Sequence, residues 1–220
     1  NRSVQGKNLK ATNPADSFAV IFSPKLYLMN FKLFAFCLTF FSCQILISQS
    51  VSYTMPHESD EHEGTWLAWP HDYTYGNGNR QWSEQVWIDM TKELTVGENV
   101  HIIAYNASER NHIQQVLQNA NVNMSKVDFF LFQTDDYWMR DNGPIYVFDQ
   151  NGQLQITDWD FNGWGNSAPF QKDELVPQRV SNATGVPRVD VTAMVLEGGA
   201  IEIDGQGSAL LCRSSVTNSN

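Results

Sequence analysis

An α/β fold built from ββαβ units is what residues 51–220 predict, and three observations carry the expectation. Short apolar runs of β type alternate with stretches of helical period. Hairpin signals fall between them, which separates the pattern from a plain βαβ series. Hydrophobic residues make up 42% of the 220 and aromatics 12%, enough to bury a substantial core.

Taken in order, Thr65-Trp66-Leu67-Ala68-Trp69 reads as a strand ended by Pro70, and the Gly- and Asn-rich stretch Tyr73 to Asn79 as a loop. Trp82, Val86, Met90 and Leu94 recur at i+4 steps and predict an amphipathic helix over 80–96, closed near Gly97. Val100 to Tyr105 is a strand. Ser108 is the expected N-cap of a second helix that carries Ile113, Val116, Leu117 and Ala120 on one face. The Phe-rich run Val127 to Phe132 and the run Ile145 to Phe148 are strands, and Asp149-Gln150-Asn151-Gly152 turns the chain into a third, Leu154 to Trp159. Asp160-Phe161-Asn162-Gly163-Trp164-Gly165 is an aromatic, Gly-rich loop. A helix over Lys172 to Ala183 must hold Pro177 in its first turns or bend around it. Val189-Asp190-Val191 and Met194 to Leu196 are short strands, and Ala200 to Ile203 pairs with Ser208 to Cys212 across Asp204-Gly205-Gln206-Gly207. The chain ends straight after this strand pair, so a truncated end is expected.

Residues 1–50 read differently. From Met29 the chain runs Met-Asn-Phe-Lys, then almost uninterrupted apolar residues from Leu33 to Ile47, then Ser48-Gln49-Ser50. This is the layout of a secretory signal peptide over 29–50, and its apolar core is short for a membrane span. Residues 1–28 then read as an upstream translated segment. An exported protein, periplasmic or extracellular, with no stable membrane association after cleavage, is the expectation. Phe41-Ser42-Cys43 is similar to a lipoprotein box, but the apolar core continues past it. Cys37 and Cys43 leave with the signal, so the remaining Cys212 has no intrachain disulfide partner.

The formal charge is −10, and residues 51–220 carry nine basic against 23 acidic side chains. An acidic body argues against nucleic acid, whose phosphates need Lys and Arg. It suits a small cationic ligand, or serves only solubility. The entry segment Met55 to Gly64 sets His57 and His62 among four acids, but at no spacing that makes a tetrahedral metal site. It reads as a solvated acidic loop, and His101 and His112 read as structural or solvated.

The chemistry concentrates at Tyr137-Trp138-Met139-Arg140-Asp141-Asn142-Gly143-Pro144, a turn between two strands where Asn and Gly tolerate positive φ. Such a rim presents functional groups. An exposed carboxylate, Asp141, beside an indole, Trp138, would grip a planar cation. Asp141 also fits a turn carboxylate, Arg140 an ion pair holding the loop, and Met139 core filler. Glu202 and Asp204 alternate with Ile201 and Ile203, so they read as solvent-facing or turn-forming.

Three stretches together resemble the agmatine deiminases, also called bacterial (Porphyromonas-type) peptidylarginine deiminases. They are Met55-Pro56-x-Glu58 with His62 and Thr65 to Pro70; Trp138 to Pro144 with Asp160 to Gly165; and Glu197-Gly198-Gly199 with Asp204-Gly205-x-Gly207. Ser59 departs from the family's usual aromatic. The resemblance implies a five-bladed α/β propeller (pentein) of ββαβ units, of which residues 51–220 supply roughly the first half. It implies attack of a Cys thiolate on a guanidinium carbon, loss of ammonia and hydrolysis of a thiouronium, with no cofactor and no metal. By the same resemblance Asp141 pairs with the substrate guanidinium, Trp138 walls its face, and Glu197 orients a catalytic His. That His and the nucleophile belong to motifs absent from this sequence, and Cys212, in a Leu-Leu-Cys run, reads as a buried inert thiol. Agmatine is the implied substrate and peptidyl-arginine the alternative, with oligomeric state not readable. A non-catalytic guanidinium-binding module is the reading from outside enzymology.

Overall fold

The computed structural model describes residues 51–213 and 215, so the signal peptide and upstream segment expected over 1–50 lie outside the described residues. Three sheets organise the rest. Strands β2 (Gly64–Ala68), β3 (Asn99–Ala104) and β4 (Val127–Leu131) form a parallel sheet in the order β2-β3-β4. Strands β1 (Tyr53–Thr54), β5 (Ile145–Asp149), β6 (Leu154–Asp160) and β7 (Arg188–Val195) form a mixed sheet in the order β1-β5-β6-β7. Strands β8 (Ile201–Ile203) and β9 (Ala209–Leu211) make a separate hairpin.

The expected ββαβ arrangement holds in the second sheet, where β5 and β6 form the antiparallel hairpin and β7 returns parallel to β6. The first sheet departs from it and is a plain βαβαβ. The cause is β1, which precedes β2 in sequence but pairs with β5 in the other sheet, leaving β2 without a hairpin partner.

Two helices connect the parallel strands, α1 (Asn79–Gly97) and α2 (Ala107–Asn119). The extent of α1 matches expectation, but its buried face does not. Trp82 is 89% exposed, and the residues turned inward are Thr91 and Thr95 with Trp87, Ile88 and Leu94. A helix advances 100° per residue, so i+4 steps drift about 40° each and the Trp82-to-Leu94 stripe swings off the contact line. Trp87 fixes the face by donating from Nε1 to the Ala68 carbonyl at 2.8 Å. Helix α2 buries Ile113 and Leu117 as expected. Its cap is Asn106 rather than Ser108: the Asn106 side chain accepts from the Glu109 N–H at 3.0 Å.

Further along, a single turn, α3 (Met139–Asn142), replaces the turn expected between β4 and β5. The last helix, α4 (Val176–Thr184), starts later than expected, with Pro177 in its first turn where its missing N–H costs nothing. The two strands expected over 189–196 are one strand with a register shift. Cys212 is exposed, contrary to the expectation of a buried thiol, because β9 has no sheet on its outer side among the described residues. The core divides into two clusters. One, around Trp69, Val100, Ile102, Ile113 and Leu117, lies between the parallel sheet and its helices; the other, around Ala68, Ile103, Ile156, Val176 and Val180, lies between the two sheets and α4. Met139 and Tyr137 pack against the second cluster, which ties α3 to the core. Among the described residues no helix is long and apolar enough to cross a membrane.

Candidate functional site

Residues Thr134 to Trp138 reach the site from the end of β4, and a buried carboxylate holds them. Asp173, with no exposed surface, accepts from the Asp135 and Asp136 N–H groups at 2.7 and 2.9 Å. Asp135 in turn accepts from Lys172 Nζ at 2.9 Å, and Tyr75 donates its hydroxyl to Asp136 at 2.7 Å. Burial first, then the charges of Asp135 and Asp136, push the Asp173 carboxyl up to about 7. His71 donates from Nε2 to the Thr134 carbonyl at 3.1 Å while its Nδ1 accepts from the Tyr73 N–H, which fixes a neutral tautomer. Burial holds its pKa below the usual histidine value.

This brace ends at Trp138, a residue 48% exposed whose ring rests on Tyr137, which in turn meets Trp87 edge to face. The Trp138 carbonyl accepts from the Asp141 and Asn142 N–H groups at 2.9 and 3.1 Å and so starts α3. None of the three expected turn residues uses a positive φ. Gly143 is there for space: a Cβ on it would lie 2.3 Å from the Met139 carbonyl oxygen.

Glu197-Gly198-Gly199 arrives from β7 and closes onto α3. A Cβ on Gly198 would lie 2.3 Å from the Arg140 carbonyl, and one on Gly199 would lie 2.1 Å from Asp141 Oδ1. Only glycines admit this approach, and it brings Glu197 within electrostatic range of Asp141. The Glu197 carboxyl is pushed above its ordinary value, by burial first and by the Asp141 charge second. Among the described residues neither the Asp141 nor the Glu197 carboxylate has a hydrogen-bond or ion-pair partner. The Asp141 charge adds to the cost of ionising the partly buried Glu197, and a cation placed between the two carboxylates removes that cost. All three residues expected at the site, Trp138, Asp141 and Glu197, therefore come together at α3.

The rest of the entry loop and the last hairpin frame this side. Glu58 pairs with Arg140 at 2.5 Å, and Glu202 stands 3.7 Å from the same guanidinium. Arg140 is thus engaged as the loop-holding ion pair, and with both partners about half exposed the bond is worth ~1 kcal/mol or less. Gly205 lies so close to His57 that a Cβ would meet its backbone N at 2.9 Å. Asp204 accepts from the Gln206 and Ser208 N–H groups, as a turn former does. The acidic loop is exposed over residues 57–63, as expected, and two of its side chains make pairs: His62 with Glu98 at 2.7 Å and Glu63 with His101 at 2.8 Å. His112 pairs with Glu84 at 2.7 Å. Among the described residues no three His, Cys, Asp or Glu side chains are arranged to hold a metal.

Sequence reading passed over Asp173 and took Asn142 only as a turn residue. Asp173 looks like an ordinary helix-flanking acid until the fold brings 38 residues of separation to hydrogen-bond distance. Beyond the site, Gly163 to Asn166 form a left-handed turn with φ of 63, 55, 74 and 61°, in which Trp164 and Asn166 are the unusual members. Asn162 supports it by accepting from the Gly165 N–H at 2.9 Å, and Trp164 meets Phe161 edge to face at 5.2 Å.

A family model described as Porphyromonas-type peptidyl-arginine deiminase matches residues 54–220. The agmatine deiminase of Pseudomonas aeruginosa (strain LESB58) is 29% identical over 174 residues, 76% of this chain and 45% of that protein. The putative agmatine deiminase of Streptococcus mutans is 26% identical over 164 residues, 72% of this chain and 44% of that protein. Among solved structures, the C. jejuni agmatine deiminase with substrate bound superposes with a TM-score of 0.64 at 27% identity, over 75% of this chain and 47% of that one. The Enterococcus faecalis agmatine deiminase gives 0.67 at 23% identity, over 76% and 45%. These likenesses show the fold: the sheets belong to an α/β propeller of the pentein type. The chain spans about half the length of the curated relatives it matches.

Proposed function

This chain belongs to the Porphyromonas-type peptidyl-arginine deiminase family, and on that premise we propose that it carries the guanidinium-holding part of an agmatine deiminase. The reaction is hydrolysis of the agmatine guanidinium to N-carbamoylputrescine and ammonia, a step toward putrescine. The carrying observation is the pair of partnerless carboxylates, Asp141 and Glu197, with the half-exposed Trp138 at the start of the same helical turn as Asp141. A guanidinium is planar, delocalised and permanently charged, so it offers a carboxylate two parallel N–H donors and an indole a cationic face. Charge-assisted hydrogen bonds of this kind contribute about 1.5–3 kcal/mol each. Held so, the group stays cationic and its carbon electrophilic while its orientation is fixed for attack.

In this reading Asp141 binds substrate, Trp138 walls it, and Glu197 orients the His that serves a Cys nucleophile. Both of those residues lie in motifs this sequence does not contain. Cys212 takes no part, standing on the exposed strand end beyond β9. The chemistry is Cys addition to the guanidinium carbon, departure of ammonia, and hydrolysis of the thiouronium by water, and no metal or cofactor is assigned to it. The family's own description and the signal-like sequence over 29–50 favour a second reading, an exported enzyme acting on peptidyl-arginine to form citrulline. Ammonia release from agmatine and from an arginine peptide, by protein of the relatives' full length, decides between them. Release from neither substrate, with saturable binding of agmatine, would leave a non-catalytic guanidinium-binding module.

A further inference from the structure

Directly behind Asp141 the chain buries a side chain whose hydrogen-bonding capacity is unused. Asn142 is 2% exposed, and neither its Oδ1 nor its Nδ2 has a partner in the protein. Leaving such an amide dry costs about 1–3 kcal/mol, and Leu would fill the same volume without that cost.

The surroundings of Asn142 are polar on one side. It lines a crevice with Asp141, Thr157, Trp159, Phe161 and Glu174. Thr157 is already committed there, donating to the Ile145 carbonyl at 3.1 Å and accepting from Trp159 Nε1 at 3.0 Å. Glu174 is not: among the described residues its carboxyl has no hydrogen-bond or ion-pair partner. Burial, and then the nearby charges of Asp160 and Asp158, hold its pKa above the ordinary glutamate value. Asn142 and Glu174 thus face one space and do not hydrogen-bond to each other. The open volume at its centre is about 10 Å³, roughly what one water-sized molecule requires.

We propose that this crevice is a seat for one small neutral molecule that both donates and accepts hydrogen bonds, water in the resting protein and ammonia once the adjoining site has released it. The donor set selects that chemistry. A bare cation would engage Asn142 Oδ1 and Glu174 but leave both Nδ2 hydrogens unmet. Water or ammonia accepts from Nδ2 and donates to Glu174, so that each of the two unpartnered side chains gains a hydrogen bond from one molecule. The ammonia half rests on the deiminase reading, and the water half does not. A seat one residue from Asp141 gives the leaving ammonia a hydrogen-bonded stop beside the site that releases it.

The test uses protein of the relatives' full length and needs two measurements. In ¹⁵N-labelled protein the Asn142 side-chain amide should show a cross-peak to a long-lived water, and absence of that cross-peak overturns the proposal. Thermal unfolding of the wild type and of Asn142→Leu then follows, in ammonium chloride and in sodium chloride at alkaline pH. Asn142→Leu should lower the midpoint by ~3 °C, because Glu174 loses its bridge; an unchanged or raised midpoint means a dry crevice. Ammonium chloride should raise the wild-type midpoint above its sodium value and leave the variant unmoved, and an equal effect on both removes ammonia as occupant. Full-length protein that releases ammonia from agmatine but shows no ammonium effect refutes the seat alone. An ammonium effect without turnover refutes the deiminase reading alone.

Discussion

Replacing Gly199 by Ala is the sharpest way to separate a built carboxylate pair from an accident of packing. The added Cβ would sit 2.1 Å from Asp141 Oδ1, and real Cβ contacts essentially never fall under 3.0 Å. Asp141 or the 197–199 segment must therefore give by roughly 1 Å, a displacement that in a positioned reacting geometry costs ~10²-fold in rate. Backbone strain does not enter, since Gly199 has no positive φ. The control is Gly97→Ala, at the end of α1, where an added Cβ meets nothing within 4 Å and the backbone conformation is ordinary. It should leave binding untouched and raise stability by about 0.4–1 kcal/mol. Agmatine turnover by full-length protein, with urea unfolding of both variants, reads the two effects separately. If Gly199→Ala keeps wild-type kcat/KM, the Glu197–Gly199 approach does not position Asp141 and the argument from these glycines fails.

Three further outcomes follow from the same geometry. Trp138→Ala should raise KM for agmatine about fivefold with kcat nearly kept, matching ~1 kcal/mol of cation–π attraction at an exposed ring; steady-state kinetics checks it, and a change confined to the unfolding midpoint would assign Trp138 to structure instead. Asp173 makes stability pH-dependent: its folded carboxyl titrates at about 7, well above the unfolded value, so folding favours the protonated form. Its contribution is therefore most favourable below the ordinary carboxylate range and is lost as pH rises toward 7. Urea midpoints across that window should fall in the wild type and flatten in Asp173→Asn; a slope the substitution leaves unchanged would contradict this. Breaking the Glu58–Arg140 pair with Glu58→Gln should cost less than ~1 kcal/mol by unfolding, because both side chains are about half exposed.

Local chemistry made the strands and helices legible in the sequence. The β-branched and aromatic runs became β2 to β6, and Asp149 to Gly152 became the hairpin turn, because short-range propensity and pairing coincide there. Where an element's outcome depended on a distant partner, the reading missed. The exposure of Trp82 follows from how α1 lies on its sheet, and the parallel first sheet follows from β1 crossing to β5. The same division runs through the site. Trp138, Asp141 and Glu197 were legible as residue types in motifs, and the structure brings them together. Asp173 was not, since its partners lie 37 and 38 residues away. Nor was Asn142, which reads as a turn residue until burial strips it of partners.

The central claim is that Asp141, with Glu197 behind it and Trp138 beside it, is the holding side for a guanidinium. Calorimetric titration of agmatine into full-length wild-type protein and Asp141→Asn tests it most directly. The account predicts saturable binding in the wild type and at least ~10-fold weaker binding in the variant, since one charge-assisted contact is removed. Equal affinity in the two proteins would contradict it.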